Sequence, residues 1–224
     1  MGTEPGPDGG HLPTMFYRLS PELVLRSPWR PYRPRAGERV LVLAAATTFP
    51  PSHPTTRLCL ELLAATLAEG PCPQLLDVGC GSGVLLLAGV AAGARLGVGL
   101  DLSGKAVITT RNNARANGLA AAVQVVRGST EALRGPFKLM VANLPWAVQM
   151  NKVAEFTRLA APDTRLILSG FKDTQEEELR DSYQRSGWVL TSRLTRDEWV
   201  IELPPEKSYT WVAWHLSRPQ GIGR

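Results

Sequence analysis

The chain has little from which to build a disulfide framework or a metal centre: three cysteines and three histidines in 224 residues. Cys59, Cys72 and Cys80 show no paired ligand spacing, and an odd number suits a reducing compartment. They read as small buried apolar residues. No run approaches the roughly 20 apolar residues that cross a bilayer, so no membrane contact is expected. The first stretch, MGTEPGPDGGHLPT, has neither the basic start nor the apolar core of a secretory signal. A cytoplasmic protein is therefore expected. Also missing are an internal repeat and any Ser-His-Asp order of the kind a hydrolase would use. Charge of one sign is not in large excess. The net +5 permits an acidic partner such as RNA or a ribosome surface without requiring one. Nothing in the pattern specifies an oligomeric state.

Proline is abundant but uneven, with ten of 18 in the first 54 residues. Proline fixes φ and removes a donor, so this segment is not expected to form a regular domain of its own. Residues 1–14 read as disordered. Residues 15–39, with SPWRPYRPR at their centre, read as an extended arm carrying Arg26, Arg30, Arg33 and Arg35 around Trp29 and Tyr32. A single domain follows over residues 40–217, with a short tail at 218–224. Within it, short apolar runs such as PQLLDVG, RLGVGLDLS, AVQVVRG, FKLMVANLP and TRLILSG alternate with helical stretches. Two β-rich runs around PPEKS close the chain as a hairpin. This alternation predicts an α/β fold: a doubly wound, mostly parallel sheet with helices on both faces.

The informative stretch is LLDVGCGSGVLLLAG, residues 75–89. A strand, a glycine loop and a helix make a place for a nucleotide, because glycine lets the backbone approach the ligand and the helix start offers free N–H groups. A dinucleotide loop wants G-x-G-x-x-G, whereas Gly79, Gly81 and Gly83 are spaced G-x-G-x-G behind Asp77. An acid there opposes a pyrophosphate and attracts a positive ligand such as an ammonium or a sulfonium. Asp101 follows at the end of the next strand, where an acid accepts hydrogen bonds from ribose hydroxyls. One acid for a cation and one for a ribose describe S-adenosylmethionine better than NAD. The plainer reading makes both aspartates helix caps.

DVGCGSG and GLDLSGKAVITTRNNARANG resemble the first motif, and the second strand with its helix, of class I S-adenosylmethionine-dependent methyltransferases. The resemblance implies a Rossmann-like doubly wound seven-stranded sheet, mostly parallel with an antiparallel last strand. It also implies that Gly79, Gly81 and Gly83 line the methionine and ribose, with Asp101 on the ribose and Ser129 and Thr130 at the adenine position. Asp77, Cys80 and Leu102 complete the cofactor set from these two motifs.

VANLPW, residues 141–146, resembles the N-P-P-Y-type motif of enzymes that methylate nitrogen. Asn143 can accept a hydrogen bond from a substrate N–H, the Leu144 carbonyl before Pro145 can accept another, and Trp146 can stack on a planar group or a cation. Alternatively, Asn143 caps a turn, Pro145 ends the strand and Trp146 belongs to the core. FPPSHPTTRLCLELL, residues 49–63, is similar to the F-G-T-G-x-H-x-T-T segment of PrmA-like ribosomal protein methyltransferases. That likeness puts Thr55 and Thr56, and also Asn143, near the cofactor and His53 near the acceptor. The family's N-terminal recognition domain is not expected here.

The reading is a nitrogen methyltransferase acting on a protein side chain, lysine by the likeness, with a ribosomal protein as the partner. A nucleic-acid base methyltransferase gripping its substrate with the arginine arm, a small-molecule enzyme and a non-catalytic cofactor-binding module stay open. Glu176–Glu178 read as a solvated face, and His215 as structural. Trp199, Trp211 and Trp214 read as packing in the closing hairpin, with Trp199 able to rim the acceptor site.

Overall fold

A computed structural model describes residues 16–44, 53–198 and 209–219. Its centre is a seven-stranded sheet built from β4 (Cys72–Val78), β5 (Ala94–Asp101), β6 (Val123–Arg127), β7 (Phe137–Asn143), β8 (Ala160–Lys172), β9 (Val189–Glu198) and β10 (Tyr209–Ser217). The strand order is β6-β5-β4-β7-β8-β10-β9. Only β10 runs against its neighbours, pairing antiparallel with both β8 and β9. The expected mostly parallel sheet with an antiparallel last strand is therefore present.

The apolar runs are continuous because adjacent residues serve opposite cores. Leu75, Val141, Ile167 and Ala213 feed the core under α1 (Pro54–Ala68), α2 (Val84–Ala91) and α3 (Gly104–Ala116). Their neighbours Leu76, Met140, Leu168 and Trp214 feed the other core, under α4 (Trp146–Leu159) and α5 (Glu176–Arg185). A strand buried on both faces has no polar alternation to show. The strand order reverses between β4 and β7, so the carboxyl ends there open a crevice for a ligand.

The proline-rich segment is more regular than an extended arm. β1 (Phe16–Ser20) and β2 (Leu23–Arg26) form a hairpin, and β3 (Arg39–Val42) adds to β2 in parallel. Leu23, Leu25, Leu41 and Leu43 join the first core, which outweighs the proline bias. Two asparagines of α3 or its cap complete the edge of β3. Asn117 exchanges hydrogen bonds with the N–H and C=O of Val42, both at 2.8 Å. Asn113 does the same for Ala44, at 3.0 and 2.9 Å. Each side-chain amide imitates a peptide group of a neighbouring strand, so the edge is not left open. Residues 1–14 and most of 218–224, for which disorder and a tail are expected, lie outside the described residues.

Candidate active site

After β4 the chain turns through Gly79, Cys80, Gly81, Ser82 and Gly83 into α2. Gly79 and Gly81 have φ of +76° and +55°, a region L side chains rarely enter. The N–H groups of Gly79 and Cys80 donate to the carbonyl of Leu100, at 2.8 and 3.0 Å, which ties the turn to the end of β5. There Asp101 holds the loop from the other side. Its Oδ2 accepts the Gly81 N–H at 3.0 Å and its Oδ1 accepts the Ser103 N–H at 2.8 Å. A carboxylate offers about four acceptor positions, so two are left for a ligand.

Asp77 sits beneath this loop, almost fully buried, and its Oδ2 accepts the Leu86 N–H at 3.1 Å. Burial pushes its carboxyl up to about 7, the Leu86 N–H opposes that rise, and the nearby Asp101 charge adds to it. A buried acid in this state gains from a cation placed against it.

The opposite wall comes from β7, β8 and α1. Asn143 ends β7, and its Nδ2 donates to Thr56 Oγ1 at 3.3 Å. Its Oδ1 is buried and has no partner. An unpaired buried carbonyl oxygen is costly and invites a donor from a ligand. His53 caps α1, its Nδ1 accepting the Thr55 N–H at 3.3 Å and pairing with Thr55 Oγ1 at 2.9 Å. The imidazole meets Trp211 edge-on, centroids 5.0 Å apart.

The Leu144 carbonyl already has a partner within the fold. It accepts the Gln149 Nε2 donor at 2.5 Å, and that amide also donates to the Ser169 carbonyl at 2.8 Å. Gly170 explains how β8 comes so close: it bulges from the β8–β10 ladder, and a Cβ there would lie 2.3 Å from the Leu144 oxygen. The carbonyl is thus turned to β8, while Leu144 still lines the cleft.

One cavity of about 360 Å³ gathers His53, Thr55, Thr56, Asp77, Gly79, Cys80, Gly81, Asp101, Asn143, Leu144 and Pro145. Five other expected residues do not line it. Gly83 is the cap of α2. Leu102 is 72% exposed beside Asp101. The Ser129 hydroxyl accepts from Lys152 at 2.9 Å, and Thr130 is buried. Trp146 opens α4 and packs, partly buried, against the second core. Trp199 lies outside the described residues.

Sequence reasoning missed Ser82, Val84, Leu85, Gly170 and Trp211 as lining residues. Ser82 and Val84 stand within the glycine motif and were within reach of it. Trp211 hides in the apolar alternation of β10, where nothing local separates a wall from a core. Among the described residues, no group of three His, Cys, Asp or Glu side chains could hold a metal, and no helix is long and apolar enough to cross a membrane.

The chain matches the family model described as ribosomal protein L11 methyltransferase (PrmA) over residues 16–203. It is 34% identical over 183 residues to the ribosomal protein L11 methyltransferase of Geobacter metallireducens, covering 81% of this chain and 60% of that one. Against the protein of the same name from Gloeobacter violaceus it is 37% identical over 180 residues, covering 80% and 55%. The chain thus spans about three fifths of the length of these relatives. The crystal structure of ribosomal protein L11 methylase from Lactobacillus delbrueckii subsp. bulgaricus shares the fold, with a TM-score of 0.75 at 21% identity over 92% of this chain and 98% of that one. So does the N-methyltransferase NodS from Bradyrhizobium japonicum in complex with S-adenosyl-L-homocysteine, with a TM-score of 0.59 at 14% identity over 75% and 90%. The family match takes in the glycine loop, the H-x-T-T segment and the N-L-P-W turn together, and the chain belongs to the PrmA family of ribosomal protein L11 methyltransferases.

Proposed function

We propose that the cleft binds S-adenosylmethionine and that the protein transfers its methyl group to a side-chain nitrogen of a protein, a lysine of ribosomal protein L11. The names of the sequence relatives support the acceptor. The observation that carries the reading is the buried, unpartnered Oδ1 of Asn143 across the cleft from the glycine loop.

The residues present fit such a cofactor. Asp101 keeps two acceptor positions for ribose hydroxyls after binding Gly81 and Ser103. Asp77 supplies a carboxylate whose ionisation a cationic ligand would favour. The exposed Leu102 offers apolar cover for the adenine beside the ribose. When bound, S-adenosylmethionine supplies a methyl group activated by its sulfonium charge.

The chain's own work is then positioning and desolvation. Asn143 Oδ1 accepts an N–H of the incoming amine and aims its lone pair, while the Thr56 hydroxyl holds the amide from behind. Gln149 fixes the turn that carries Asn143 by clamping the carbonyls of Leu144 and Ser169. Trp211, packed against the His53 ring, walls the cleft and offers a face to the acceptor ammonium. A ribosomal-protein acceptor is consistent with the cytoplasmic location expected from the sequence.

Two of the arm's four arginines are engaged within the arm itself. The Arg26 guanidinium binds the carbonyls of Ser27, Pro28 and Arg30, and Arg30 lies over the Phe16 ring at 5.2 Å. These groups serve the arm's own fold.

The test is Asn143→Ala, read by two assays. Affinity for S-adenosylhomocysteine should stay within about threefold, while methyl transfer to ribosomal protein L11 should fall by at least about 100-fold, the loss of a transition-state contact of roughly 2.7 kcal/mol. Turnover that survives would place acceptor recognition elsewhere.

A further inference from the structure

We propose that the protein methylates itself at Lys172, an inference that rests on reading the cleft as a methyl-transfer site. Lys172 ends β8, two residues beyond Gly170, and is the cross-strand partner of Trp211 on β10. Both Gly170 and Trp211 line the cleft. The Lys172 Nζ lies over the Tyr209 ring, 3.5 Å from its centroid, and 6.0 Å from the Trp211 centroid. The two rings meet edge to face at 5.2 Å. An amine thus stands in cis at the aromatic wall that would receive an acceptor.

The other lysines are placed differently. Lys138 donates to the Pro162 carbonyl at 2.6 Å, and Lys152 holds Ser129 and Glu131. Lys105 is exposed on the first turn of α3. Lys207 lies outside the described residues. Among the described residues Lys172 forms no ion pair, and its ammonium rests on ring faces. Ring faces hold an ammonium loosely, and the four-carbon stem can swing from Tyr209 past Trp211.

The step balances without a further reactant. Nζ gives up a proton to water, its lone pair forms a bond to the methyl carbon, and the carbon–sulfur bond breaks with its electrons left on sulfur. Methyl-lysine and S-adenosylhomocysteine result. A methylated ammonium keeps its charge and gains apolar surface, so the product still suits the Tyr209 and Trp211 faces.

The experiment incubates the purified full chain with S-adenosylmethionine carrying a deuterated methyl, in parallel with and without ribosomal protein L11, followed by peptide mass mapping. Label should collect on Lys172, with a first-order rate constant that does not change over about tenfold dilution. Lys172→Arg should lose that label while still binding S-adenosylhomocysteine, which shows that the variant is folded. Label on L11 with none on Lys172 overturns this proposal and leaves the parent reading standing. Label on Lys172 with none on L11 supports it and removes the L11 acceptor. A rate that rises in proportion to concentration overturns transfer in cis, and label on neither protein overturns both readings.

Discussion

Replacing Asp101 with alanine separates the residue's work for the ligand from its work for the loop. In the free protein the carboxylate accepts two backbone N–H groups, from Gly81 and Ser103, at 3.0 and 2.8 Å. Neither residue is fully buried, so water can take over both donors, and the stability cost should be about 1 kcal/mol. For a chain of this size that is a fall of roughly 2–4 °C in Tm. The ligand loses more, because hydrogen bonds from ribose hydroxyls to a charged acceptor contribute about 1.5–3 kcal/mol each. Taking about 3 kcal/mol for the pair, since both hydroxyls share one carboxylate, affinity for S-adenosylhomocysteine should fall roughly 150-fold. Isothermal titration at 25 °C for affinity and a thermal scan for Tm measure the two effects apart. A change in affinity under about threefold, with the Tm lowered as stated, would mean that Asp101 is a loop brace and nothing more.

Two further outcomes are expected. Gly170→Ala places a Cβ 2.3 Å from a backbone oxygen at φ +100°, so it should lose about 3 kcal/mol or more, whereas Gly187→Ala, with φ +83° and open space around it, should lose only about 1; denaturant unfolding of the two variants checks this. Asp77, with its carboxyl raised to about 7 in the fold, binds more protons native than unfolded between its ordinary range and 7, so its contribution to stability falls as pH rises through that window. A cationic ligand favours the ionised form, so its affinity should rise from pH 6 to pH 8 with proton release, and Asp77→Asn should flatten both trends; a flat wild-type profile would remove the charge pairing.

The parts that were legible in the sequence are those whose physics is local. A glycine loop between an apolar strand and a helix announces its own geometry, and Asp77 and Asp101 sit beside the elements that place them. The sheet was legible because strands buried on both faces leave unbroken apolar runs. What was missed depends on distant partners. β2 pairs with β3 across 12 residues rich in proline and arginine, and its register is set by leucines that find their core only in the fold. Nothing in N-L-P-W says that Gln149, further along α4, will claim the Leu144 carbonyl, or that Trp146 will turn to the second core. Trp211 becomes part of the site because the β10 strand inserts beside β8, a long-range fact with no local signature.

The central claim is methyl transfer from S-adenosylmethionine to protein. Its most direct test is tritiated methyl transfer into a ribosome-containing lysate, divided and treated with protease or with nuclease before the remaining label is counted. The account predicts label that protease removes and nuclease leaves, carried on lysine in ribosomal protein L11 and absent with Asn143→Ala. Label that nuclease removes and protease leaves would contradict it.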